Sequence, residues 1–141
     1  PLWWSEWYTG IPGAVAPSHN PQEYAALTAY SLMTMYQSGV SVALMWDPEN
    51  SPGQTTYGIW TSTTTSTGGQ PTALTSAFET LAQRFHPGSS YLSTSPSPGV
   101  RELRDGSRWV AVNTDGLPHT FLPSPSSPAT NLIGPWQILT G

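Results

Sequence analysis

Glu6 is the one carboxylate in the opening run PLWWSEWYTG, where Trp3, Trp4, Trp7 and Tyr8 surround it. A carboxylate among aromatic rings costs free energy to bury unless it is paired, hydrogen-bonded or given a chemical task. At the carboxyl end of a parallel strand, where ligand sites of α/β folds lie, such an acid can meet a ligand, and flat indole and phenol faces beside it can stack on a sugar ring. The ordinary reading of a lone glutamate is a solvated strand end or a satisfied ion pair.

A second aromatic and acidic point follows the run VSVALMW, which ends in Trp46 and Asp47. Glu49 lies two residues on, in the turn DPEN, where an acid most simply caps a loop. Asp47 and Glu49 are the acids placed to approach Glu6 if the two strand ends are neighbours.

The elements that would position these residues are legible from pattern. Residues 1–7 read as a short strand. After a loop rich in Gly and Pro, Asn20 can cap a helix, Pro21 suits its first turn and Glu23 completes a capping box. The helix places Tyr24, Leu27, Leu32, Met33 and Tyr36 near one face, and Gly39 ends it. VSVALMW is nearly all apolar, which fits a parallel strand covered on both faces. A long Ser/Thr-rich loop leads to a second helix with Leu74, Ala77, Phe78, Leu81 and Phe85 at helical spacing, stopped by His86, Pro87 and Gly88. Beyond residue 89 the pattern turns to short strands, VRELR, RWVAVNT, HTFL and WQILTG. Asp105-Gly106 and Asp115-Gly116 are the expected hairpin turns.

Composition removes several function classes. There is no lysine, and 4 arginines stand against 8 acids, so no basic field exists to hold a nucleic acid. Cysteine is absent, which excludes disulfides and thiolate metal sites. His19, His86 and His119 are too scattered to suggest a metal site. No apolar run is long enough for a membrane-spanning helix, and no membrane partner is expected. The chain begins at Pro1 inside a strand pattern, which marks it as a processed or excised piece.

The series PLWWSEWYTG, helix, VSVALMW, GIW and FETLAQRFHPG resembles the last two βα units of a retaining glycoside hydrolase with a (β/α)8 barrel. The clan is the one that includes families 5, 30, 39, 51 and 79. This resemblance implies an α/β fold in two parts: residues 1–89 as the closing βα units of a TIM-barrel catalytic domain, and residues 90–141 as an antiparallel, sandwich-like β segment. It implies that Glu6 is the catalytic nucleophile and that Trp46 lines the sugar subsite, with Tyr8, Trp7 and Asp47 as further substrate-binding residues. No cofactor and no metal are implied. The clan's acid/base lies in an Asn-Glu pair, and no such pair occurs in this chain. The expected activity is cleavage of a β-linked oligo- or polysaccharide by a larger enzyme, most simply a secreted one. The isolated chain is expected to be inactive and to need either a missing N-terminal barrel segment or self-association. The alternative is a non-catalytic carbohydrate-binding or structural module, which should close its own core where an enzyme segment leaves strand edges open.

Overall fold

The computed structural model describes residues 2–7, 20–45, 48–86, 90–123 and 130–141. Strand β1 (Leu2–Trp7) pairs in parallel with β2 (Val40–Met45), with Trp3 opposite Val42 and Trp7 opposite Met45. Between them runs helix α1 (Pro21–Gln37). The Asn20 side chain caps it by accepting the Gln22 amide at 3.0 Å, and Gly39 follows its end at φ +77°, a backbone angle that suits glycine.

Helix α2 (Ala73–Arg84) is held by a capping box between Thr72 and Thr75. Its apolar stripe buries Leu74, Ala77 and Leu81, with Phe85 closing the end. On α1 the inward face is made of Tyr24, Leu32 and Met33 with the small residues Ala25, Ala26 and Ala29. Tyr36, expected on that face, is 40% exposed. Alanines at the contact let the two helices approach closely.

The rest is antiparallel. Strands β3 (Leu92–Ser97), β4 (Val100–Asp105), β5 (Arg108–Asn113) and β8 (Ile138–Thr140) form one sheet in the order β3-β4-β5-β8. Strands β6 (His119–Phe121) and β7 (Asn131–Ile133) form a separate pair. Alternation along β4 and β5 divides the core. Leu103, Val110 and Val112 join the helices, Trp7 and Met45 in one cluster. Val100 and Ala111 pack on the other face against Phe121 and Ile133. The helices therefore lie between the parallel pair and the antiparallel sheet, and one core joins residues from both stretches of the chain.

This arrangement corrects the expected fold class. Among the described residues there are two helices and one parallel strand pair, and most strands are antiparallel. The protein is a small mixed α/β domain, not the tail of a TIM barrel. The physical reason lies in the helices, which bury much of their apolar surface against β5 of the antiparallel sheet. The second expected hairpin also differs. Asp105-Gly106 does join β4 to β5, but Asp115-Gly116 does not pair β5 with β6, because the free edge of β5 is taken by β8.

Candidate functional site

The parallel register places the carboxyl ends of β1 and β2 side by side. Trp7 opposite Met45 is the last pair, and Glu6 is one residue back. Trp7 is 6% exposed, with its ring 6.3 Å from that of Phe78 on α2. Adjacent residues of a strand point to opposite faces. With Trp7 turned into the helix layer, the exposed Glu6 side chain stands on the face that the helices do not cover. Leu44, between the core residues Ala43 and Met45, is 53% exposed on that same face. Trp3 and Trp4 on β1 are 66% and 50% exposed. A carboxylate beside accessible indoles at the end of a parallel strand can meet a ligand from solvent, and the ring buried at Trp7 fixes the backbone that carries it.

Tyr8, Trp46 and Asp47 lie outside the described residues, as do His19 and the helix stop at Pro87 and Gly88. Of the sequence-derived site residues, the structure places Glu6 on the uncovered face and Trp7 in the interior.

Glu49 has a different task. Its Oε1 accepts the Thr63 amide at 2.6 Å and the Thr63 hydroxyl at 2.9 Å, and these bonds hold its carboxyl below the usual range. Next to it the buried Asn50 accepts the Tyr57 and Gly58 amides at 3.0 Å and donates to the Trp60 carbonyl at 3.1 Å. Tyr57 in turn meets Tyr24 of α1 edge to face, with ring centroids 5.3 Å apart. Glu49 and Asn50 thus fasten the long Ser/Thr-rich loop to the body of the fold.

Two polar clusters were not read from the sequence. His119 Nε2 lies 2.9 Å from both carboxylate oxygens of Asp115, whose Oδ1 also accepts the Leu117 amide at 2.8 Å. The amide and then the imidazole keep the Asp115 carboxyl below its ordinary range. The four-residue spacing across a turn was the available signal. The packing of Gly99 against the pair joins residues too distant in sequence for any local pattern to show. The second cluster is Glu102, 1% exposed, paired through Oε1 with Arg104 on the same face of β4. Burial pushes its carboxyl up, while the hydrogen bond and charge of Arg104 act against that rise. The period-two alternation of Val100, Glu102 and Arg104 would have placed both charges on the face that carries Val100.

Among the described residues, no group of three or more His, Cys, Asp or Glu side chains is placed to hold a metal ion. Among them also, no helix is long and apolar enough to cross a membrane. In comparison with known proteins, the sequence matches no family model and no curated protein.

Proposed function

We propose that Glu6 is the nucleophile of a retaining glycosidase that acts on a β-linked oligo- or polysaccharide. With the barrel expectation corrected, the reading rests on Glu6 and its surroundings. The observation that supports it is the exposed carboxylate at the carboxyl end of β1, next to the anchored Trp7 and on a strand that also exposes Trp3 and Trp4, one on each face. A Glu6 oxygen attacks the anomeric carbon as the glycosidic C–O bond breaks, giving a glycosyl ester. Water then attacks the same carbon and releases the sugar and the carboxylate. The leaving oxygen needs a proton from a second carboxyl group about 5 Å away. Glu49 is committed to Thr63, and the chain has no Asn-Glu pair of the kind that carries the acid in the clan it resembles, so on this reading the acid comes from a companion part of the complete enzyme. The chemistry calls for no cofactor.

The test has two arms. In the complete enzyme, Glu6→Gln lowers kcat roughly ten-thousand-fold, with the circular dichroism spectrum unchanged. Turnover within a few-fold of the parent overturns the assignment. In the second arm, an activated 2-fluoro glycoside leaves a covalent adduct that mass spectrometry maps to Glu6, and an adduct on any other residue also overturns it. The 141-residue chain by itself hydrolyses no nitrophenyl glycoside, for want of the acid.

The exposure of Trp3 and Trp4 also favours a second reading, a non-catalytic glycan-binding module. Retention on a polysaccharide column that is lost in Trp3→Ala/Trp4→Ala but kept in Glu6→Gln, with no turnover by the complete protein, supports that reading over the first.

A further inference from the structure

From Gly116 to Gly141 the sequence holds one ionisable side chain, His119. It opens β6, which among the described residues pairs only with β7 and shares no backbone ladder with the central sheet. Contacts of three kinds seat this small pair. Phe121 and Ile133 pack with Val100 and Ala111, and Phe121 meets Trp109 edge to face with ring centroids 5.7 Å apart. The buried Asn113 donates to the Leu117 carbonyl at 2.7 Å and the Gly134 carbonyl at 2.8 Å, just ahead of β6 and just after β7. His119 Nε2 stands 2.9 Å from both carboxylate oxygens of Asp115. Apolar packing and an amide do not respond to pH near neutrality. The third contact does, because it joins two charges only when the imidazole is protonated.

We propose that the Asp115–His119 pair is a pH-operated latch on β6 and β7, tight in mild acid and slackened above neutrality, whose release bares the Val100 and Ala111 face of the central sheet. An imidazole gains its charge as pH falls from about 8 to about 5. The attraction is therefore complete in mild acid, where a carboxylate is still ionised, and it fades as pH rises and the imidazole loses its proton. A neutral hydrogen bond donor then faces the carboxylate, and the pair holds less firmly. The acid side has its own limit. The Leu117 amide and then His119 keep the Asp115 carboxyl below its ordinary range, so the latch persists through that range and is lost only as pH falls through the lowered value.

The surroundings leave this contact as the sensor. Strand β3, which lies beside β6, carries no ionisable side chain, and neither do β7 nor Pro98 and Gly99 of the turn against the pair. On the face of β4 that bears Val100 the ionisable groups are Glu102 and Arg104, which hold each other. Arg101 turns the other way, over the ring of Tyr30, and Asp105 and Arg108 pair at the far hairpin. The inference is independent of the role given to Glu6.

The experiment is amide hydrogen exchange on the 141-residue chain, corrected for intrinsic base catalysis, at about pH 5.5 and about pH 8. The amides of His119–Phe121 and Asn131–Ile133 should be about threefold better protected at the lower pH, a gain kept small by the 41% exposure of Asp115. Salt at about 1 M should shrink that difference. In His119→Gln, whose amide can still donate to Asp115, the two pH values should give equal protection, and Asp115→Asn makes the same test from the other partner should His119→Gln fail to fold. Glu102→Gln removes the other titrating carboxyl on that face and should leave the difference in place. Equal protection at both pH values in the parent, an undiminished difference in either uncharged variant, or its disappearance in Glu102→Gln would each overturn the proposal.

Discussion

Gly99 offers the sharpest test of the packing described above. It joins β3 to β4 at φ +74°, and a methyl group built on it would overlap Asp115 Oδ2 and lie 2.6 Å from His119 Nε2. Gly106, between β4 and β5, has a similar angle, φ +58°, but a methyl group there meets nothing within 4 Å. The two positions therefore share backbone strain and differ in collision. Left-handed backbone costs an alanine about 1–2 kcal/mol. For a chain of this length each kcal/mol moves Tm by roughly 3–5 °C, so Gly106→Ala should lower Tm by about 5 °C. Gly99→Ala carries the same strain and must in addition turn Asp115 away, breaking its contacts with His119 and the Leu117 amide. Its loss should be at least twice that of Gly106→Ala.

The assay is thermal unfolding followed by circular dichroism, with Asp115→Ala as a third background. Removing the carboxylate takes away the nearer obstacle, so Gly99→Ala in that background should cost much closer to the Gly106→Ala value. This is a double-mutant cycle whose interaction term is the collision itself. Equal losses at Gly99 and Gly106 in the parent protein would refute the placement of Asp115 and His119 beside the turn.

Two further outcomes concern the buried polar groups. Asn50→Ala strands the Tyr57 and Gly58 amides and should cost roughly 2–3 kcal/mol, with faster chymotryptic cleavage at Tyr57 and Trp60; an unchanged melting curve would show that the loop is held by other means. For Glu102 the folded pKa is raised, chiefly by burial, so its contribution to stability is full below the unfolded value and is lost as pH rises through the folded one. In urea melts from about pH 3.5 to about pH 7, the parent should lose ground to Glu102→Gln as pH rises, and parallel profiles would contradict the buried placement.

The parts of this fold legible in the sequence are those whose signal is local. Helix α2 follows from Leu74, Ala77 and Leu81 at helical spacing, α1 from Asn20 and Pro21, and the β4–β5 turn from Asp105-Gly106. What escaped was set by contacts distant along the chain. Strand β3, LSTSPS, has a single large apolar residue and a proline, and it is ordered by pairing at the sheet edge with β4. Strand β7 is three residues, too short for alternation to register, and is defined by Ile133 reaching the face of the central sheet beside Phe121 of β6, the strand expected at HTFL. The barrel expectation failed for a related reason. A helix stripe such as that of α2 records that it packs, but not whether its partner is a parallel or an antiparallel sheet. Within the candidate site, the strand-end position of Glu6 was readable from the aromatic run, whereas the inward turn of Trp7 was not, because two flanking tryptophans of the same type differ only in which face Phe78 covers.

The division of the core bears directly on where chemistry can reside. Leu103, Val110 and Val112 fill the space between the helices and the central sheet, and all three are fully buried. Truncating any of them leaves a cavity costing several kcal/mol, a large share of an ordinary domain's stability. The parallel pair adds Trp7, Ala43 and Met45 to that core, and its other face stays open at Glu6 and Leu44. Residues on the open face can therefore be chosen for binding or reaction with little effect on folding. Glu6→Gln and Trp3→Ala should leave the melting temperature within about 2 °C of the parent, since exposed substitutions rarely exceed 0.5 kcal/mol, whereas Leu103→Ala should lower it by 10 °C or more on the same scaling. A large loss at Glu6 would mean that its carboxylate supports the fold, and the case for a nucleophile at the end of β1 would fall with it.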